Sequence, residues 1–287
     1  MANARLVASD GLPSEGHHPV VQQGGRIAAL QAPPDRIRKC VAKDARGRRN
    51  HSGSGPRRLP AASLIMTDVS SQIGFPAREF RPFAPGVFMA VVDEDIVTLD
   101  RRSDRYGCLP GAAPFLTIAD FSIYADPGTL AALQEADLIC NEPQGPRLPL
   151  PPQPTMSLLP TGRGVSPSAA LRFLASWRDA RRLGRTPSIE RYLAALPPDR
   201  KAEPNPTRIA SITTTFQALL PWAPTQGVCL WRAFVLLGML RRSGQSATWV
   251  FGVRTWPFSA HCWLQVGNAV LDDDPERVAA YTPIMAV

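Results

Sequence analysis

Apolar and turn-forming residues divide the chain into two packed units. Val87–Val92 is apolar throughout with no helical spacing, whereas Ile96–Asp100 and Arg105–Leu109 alternate apolar with polar or small residues. Asp93-Glu94-Asp95 and Arg102-Ser103-Asp104 supply the turns, so this pattern predicts a three-stranded meander. Two helical patches are expected next, over Pro114 to Tyr124 and Thr129 to Cys140. In the second, Leu130, Leu133 and Leu138 fall on one side, behind Pro127-Gly128. Strands followed by helices imply a small α+β module.

The second unit opens with helices. Ser166-Pro167 reads as a cap followed by proline at the first helical position, and Leu171, Leu174 and Trp177 recur at helical spacing before Gly184. A shorter helix is predicted over Ser188 to Leu196 and a third within Arg208 to Leu220. From Cys229 the chain is nearly all apolar except Arg232 until Arg241-Arg242 and Gly244, the pattern of a buried helix with a favourable C-terminal end. Strands are expected over Ala247 to Val253, Ala260 to Val266 and Ala269 to Asp272, the last two joined at Gly267-Asn268.

Proline content sharpens the boundary between the units. Glu142 to Pro160 hold seven of the chain's 30 prolines, which favours extended polyproline geometry and a semi-rigid spacer. The plan is therefore a unit over 80–142, a Pro-rich linker over 143–160 and a second unit over 161–287. Residues 1–65 show no apolar periodicity and read as a disordered basic extension. Met66-Thr-Asp-Val-Ser resembles an ordinary start of translation.

Charge changes the picture only once it is mapped. The 287 residues carry a net +8, but residues 1–65 hold 11 basic and four acidic groups, a local +7. The remaining 21 basic and 20 acidic groups leave the body nearly neutral, which removes the main support for a nucleic-acid partner. The longest apolar run, Ala233 to Leu240, is far short of the ~18 residues that cross a bilayer. With no secretion signal visible, a soluble cytoplasmic protein without a membrane partner is expected.

Candidate chemistry is confined to few residues. Three of four histidines (His17, His18, His51) lie in the basic extension, leaving His261 alone in the body. Five cysteines, with no CxxC pair, support neither a disulfide framework nor a zinc site. Cys108, Cys140 and Cys262 read as small buried apolar groups. Cys229 differs because Gly227-Val228 lead into it and a long apolar helix starts at it. Helix N-terminal N–H groups and the backbone dipole stabilise a thiolate and a developing oxyanion. His261 falls on a returning strand and Asp272-Asp273-Asp274 just past the next turn, giving the Cys–His–acid order of papain-like and transglutaminase-like sites. With a two-residue Gly267-Asn268 turn, residue 261 lies opposite 274, so Asp272 and Asp274 share its face. Asp273 points away unless the register shifts.

Cys229-Leu-Trp-Arg-Ala-Phe, Arg241-Arg-Ser-Gly, Phe258-Ser-Ala-His261-Cys-Trp-Leu-Gln-Val, Leu271-Asp-Asp-Asp and Tyr281-Thr-Pro-Ile284 together resemble lasso-peptide B proteins, transglutaminase-like cysteine proteases that remove a precursor's leader. The resemblance covers Ser166 to the C-terminus. It implies Cys229 as nucleophile, His261 as general base and Asp273 as orienting acid, with Cys262 a departure where the family commonly has alanine. The first unit resembles the small winged-helix-like precursor-recognition element of peptide-modification systems, which captures a leader by β-augmentation beside its third strand. That resemblance assigns leader contact to Tyr106, Leu109, Leu130 and Leu133.

The fold expected is thus α+β, a winged-helix-like N-terminal domain followed by a papain/transglutaminase-like protease domain. The implied partners are the lasso precursor and an asparagine-synthetase-like cyclase. ATP enters through that cyclase, no P-loop or other nucleotide motif occurs in this sequence, and neither a cofactor nor a metal is expected for the chain itself. Two alternatives stay open: a transglutaminase- or amidase-type acyl transferase on another peptide, and a peptide-binding scaffold in which Cys229 and His261 are structural.

Overall fold

The computed structural model describes residues 79–142, 145–158, 164–184, 187–200, 203–223 and 229–287. The basic extension, Met66, the linker prolines Pro143 and Pro160, and Gly227-Val228 lie outside the described residues.

The first unit runs β1 (Glu79–Pro82), β2 (Val87–Val92), β3 (Asp95–Asp100), β4 (Arg105–Leu109), β5 (Thr117–Ala119), β6 (Ser122–Ala125) and α1 (Pro127–Glu135). The predicted meander is present as the antiparallel sheet β2-β3-β4, with Phe88 opposite Leu99 and Leu99 opposite Tyr106. Left-handed Asp93 and Asp104 sit in its two turns. The other sheet, β1-β6-β5, was not anticipated. Pro114 to Tyr124 does not form a helix: after a short 3-10 turn it becomes the β5–β6 hairpin, reversed through left-handed Asp120 and Phe121. β-Branched and aromatic Thr117, Ile118, Ile123 and Tyr124 suit a pleated surface better than a helix. The second patch is helical only to Glu135. Asp126 caps it by accepting from the Gly128 and Thr129 N–H groups, and left-handed Asp137 follows its end. Among the described residues the unit is a small β-sheet module with one nine-residue α-helix, and the winged-helix-like fold expected here is not shown.

The Pro-rich segment is extended but docked. Arg147 sits over the rings of Phe83, Phe88 and Phe121 and donates to the carbonyls of Phe83, Ala84 and Val87 in the first unit. Ten residues on, β7 (Met156–Ser157) joins the second unit's sheet, parallel to its neighbour. Between these anchors the Pro152 carbonyl accepts from the Gln265 amide and Gln153 donates to the Tyr281 carbonyl.

The second unit contains α2 (Pro167–Arg182), α3 (Ile189–Ala195), α4 (Pro206–Leu219), α5 (Cys229–Arg242), β8 (Thr248–Arg254), β9 (Ser259–Val266), β10 (Ala269–Leu271), α6 (Pro275–Ala279) and β11 (Thr282–Ala286). Its sheet has the order β11-β8-β9-β10-β7. The apolar helix α5 is buried, with Phe234, Leu237, Met239 and Leu240 at 1% exposure or less. It packs against α2, α4 and the sheet strand β9.

One sheet serves both units. Val87, Met89 and Ile96 face the first unit's core beside Ile123, Leu130 and Leu133. Phe88, Ala90, Val92, Val97 and Leu99 face the other way, into the core that holds α5. Burial of both faces explains why Val87–Val92 shows so little alternation. Polar ties across the junction include Arg101 Nε to Glu190 Oε1 (2.7 Å) and Trp256 Nε1 to Asp95 Oδ2 (3.1 Å). Leu99 is fully buried at this junction, and Leu99→Ala is expected to lower stability by about 2–5 kcal/mol. Calorimetry should show one transition for both units, shifted downward as one. Two transitions, only one of them moved, would contradict the shared core.

Candidate active site

Helix α5 begins at Cys229, so the thiol lies at the positive end of the helix beside N–H groups that have no partner within the helix. Strand β9 carries His261, 7% exposed. The third residue follows β10, where the register was the open question. The hairpin pairs Ala269 with Val266 and Leu271 with Leu264 across Gly267-Asn268, so the expected two-residue turn is present. Regular pairing would continue with Asp273 turned away from His261, but Asp272 takes a left-handed conformation (φ 55°) and pairing stops. That break swings the next residue inward, and Asp273 Oδ2 lies 2.6 Å from His261 Nε2.

The three consecutive aspartates consequently divide their work. Asp272 is ion-paired with Arg232, accepting from Nη2 at 2.8 Å and Nε at 3.1 Å. Asp273 faces His261 through Oδ2, while its Oδ1 accepts from the Asp274 N–H at 2.9 Å. Asp274 caps α6 through the Glu276 N–H. Ser157 Oγ, from β7, donates to the Asp273 carbonyl at 3.2 Å. With Nε2 committed to Asp273, the imidazole nitrogen left for the thiol is Nδ1, and Cys229 and His261 line the same cavity. The ring of His261 is held between Trp263 and Tyr281, with centroids 6.2 and 5.2 Å away.

Electrostatics favour charge separation across this group. A hydrogen bond with the Cys262 thiol, then one with His261 and its charge, hold the Cys229 pKa well below its ordinary value although burial opposes them. Burial would push the His261 pKa down, but its bonds to Asp273 and Cys229 outweigh this and lift it to about 9. Burial likewise opposes the Asp273 charge, and its bond to His261 keeps that carboxyl below the usual range. The arrangement is a thiolate–imidazolium pair oriented by a carboxylate, able to attack a carbonyl and then protonate a leaving group. Cys229, His261, Cys262, Asp272 and Asp273 line a common cavity of about 120 Å³. Among the described residues no cluster of three His, Cys, Asp or Glu side chains is arranged to hold a metal ion, and no helix is long and apolar enough to cross a membrane.

A family model described as the transglutaminase-like superfamily matches residues 170–286. The C-terminal half of this chain carries a transglutaminase-like core domain. Its match implies thiol hydrolase or transferase chemistry, which the assembled Cys229, His261 and Asp273 are equipped to perform. No curated protein and no solved structure matches the chain.

The four residues expected to contact a leader are scattered. Leu130 and Leu133 are 4% and 3% exposed in the first unit's core. They offer no surface to a peptide, because α1 lies against β1 and β6 instead of flanking β4. Leu109 is half-buried against the same core. Tyr106 instead packs toward the transglutaminase-like domain, 5.5 Å from the Phe258 ring. Burial, with the nearby charges of Cys262 and Cys229, raises its phenol pKa. Two participants were missed from the sequence. Cys262 adjoins the nucleophile instead of merely filling the core, and Arg232 pairs with Asp272. A lone arginine in an apolar helix was a usable signal for a buried carboxylate partner.

The pH dependence follows from these directions. The ion pair exists above the lowered pKa of Cys229 and is lost as pH rises through about 9, where His261 deprotonates. Iodoacetamide at about pH 6 should therefore label Cys229 well ahead of Cys108, whose pKa burial lifts to about 11. His261→Ala should move the labelling profile of Cys229 upward. A profile that does not move would mean that His261 does not stabilise the thiolate.

Proposed function

We propose that the chain is a cysteine peptidase that removes the leader from a lasso-peptide precursor. The observation that carries this reading is the Cys229–His261–Asp273 arrangement within the transglutaminase-like domain, joined to a sheet module with a strand that, among the described residues, is paired on one side only. The thiolate of Cys229 attacks the carbonyl at the leader–core junction, and the helix N-terminal N–H groups favour the resulting oxyanion. His261 then protonates the departing amine, which is the N-terminus of the core peptide. Water, deprotonated by His261, hydrolyses the leader thioester and restores the thiol. Asp273 keeps the imidazole in the required orientation through both steps.

Leader capture is assigned to the outer edge of β4, which among the described residues pairs only with β3. An extended peptide adds to such an edge through main-chain hydrogen bonds. Tyr106 lies on this strand and packs against Phe258, three residues before His261, so a leader aligned with β4 is brought toward Cys229. The amine released by cleavage is the group that an asparagine-synthetase-like, ATP-dependent cyclase would join to a side-chain carboxylate.

With purified precursor, Cys229→Ala and His261→Ala are each expected to lower kcat/KM by at least about a thousandfold, because members of such a unit fail together. Leader affinity, measured by fluorescence anisotropy, should stay within about twofold, since capture depends on main-chain pairing at β4. Undiminished cleavage by Cys229→Ala would overturn the peptidase reading. An unaltered Cys229 that releases no leader but transfers acyl groups to added amines would redirect it to an acyltransferase.

A further inference from the structure

Cys262 stands directly after His261, and alternation along β9 turns the two side chains to opposite faces. His261 faces Trp263 and Tyr281, whereas Cys262 faces the core that contains α5. It meets that helix at its first residue: Cys229 and Cys262 line the same cavity, where α5 packs on β9. Cys229 is half-buried at the mouth and Cys262 is 4% exposed beneath it. An oxidant thus meets the nucleophile first, with a second thiol already against its inner side. Cys108 and Cys140 belong to the first unit, and Cys140 bonds to the carbonyls of Phe83 and Glu142.

We propose that Cys229 and Cys262 close to a reversible disulfide when a hydroperoxide enters the site, making the pair a redox modification site. This rests on the reading of Cys229 as an activated nucleophile. The Cys229 thiolate attacks the outer oxygen of the hydroperoxide, the O–O bond breaks, and the alcohol or water leaves with the proton held by His261. Cys229 is then a sulfenic acid. Cys262 attacks its sulfur, the S–O bond breaks, and the hydroxide departs as water with the Cys262 proton. Two thiols are oxidised by two electrons and one peroxide is reduced. A sulfenic acid without a neighbouring thiol goes on to sulfinic and sulfonic acids, which are not readily reversed. Closure therefore protects the nucleophile while switching it off, and a thiol reductant reopens it.

Full-length protein treated with hydrogen peroxide should lose two hydrogens by intact mass, and a non-reducing peptide map should contain one cross-linked species holding Cys229 and Cys262. Dithiothreitol should restore both thiols and most of the iodoacetamide labelling of Cys229. In Cys262→Ala the same treatment should add oxygens, and labelling recovered after dithiothreitol should fall about tenfold relative to wild type. The wild-type peptide map does not depend on how well that variant folds. Oxygen addition at Cys229 without the cross-link in wild type would overturn the proposal and leave the peptidase reading intact. A Cys229 that reacts neither with iodoacetamide nor with peroxide would overturn both.

Discussion

The ion pair between Arg232 and Asp272 is the constraint on which the site is built. Asp272 is 7% exposed as a side chain, and burial pushes its carboxyl above the usual range while Arg232 pulls it back. A carboxylate so placed needs a fixed cation. Arg232 lies three residues after Cys229, on the same face of α5, and Asp272 immediately precedes Asp273. One interaction thereby ties the helix that presents the nucleophile to the loop that presents the acid. Asp272 is also the left-handed residue at which β10 ends, and the residue after it meets His261. Loss of either partner would leave the catalytic residues in place chemically but free the angle between them.

Much of the site was legible because its chemistry depends on local signals. A cysteine opening a long apolar helix, one histidine in the folded body and a carboxylate past a two-residue turn can each be read from spacing alone. The choice among Asp272, Asp273 and Asp274 could not, because it depends on one left-handed backbone residue where the β10 pairing ends. Cys262 is the small buried group that the sequence suggested, but spacing gave no sign of what it meets there. Its apolar surroundings are real, but its neighbour across the helix–sheet contact is another thiol.

The fold was less legible where elements exchange partners over distance. The meander and the helices at Pro167–Arg182, Ile189–Ala195, Pro206–Leu219 and Cys229–Arg242 follow from periodicity, caps and turns. Pro114 to Tyr124 reads as helix only if its β-branched and aromatic residues are given too little weight. A division into two units leaves out the packing between them. The apolar run in β2 looks like a strand buried on both faces, and its second partner is the transglutaminase-like domain itself. The first unit and the transglutaminase-like domain are therefore joined by a packed core, where the sequence suggested a tether.

The two-residue strand β7 closes the edge of the catalytic sheet with the chain's own backbone. It lies beside β10, between Pro154 and the segment that leads to α2, and offers a neighbouring chain almost no further ladder. Proline and shortness are the usual guards of such an edge against self-association. The same guard acts as a filter on peptides. An extended segment that would otherwise stack next to β10 is refused there.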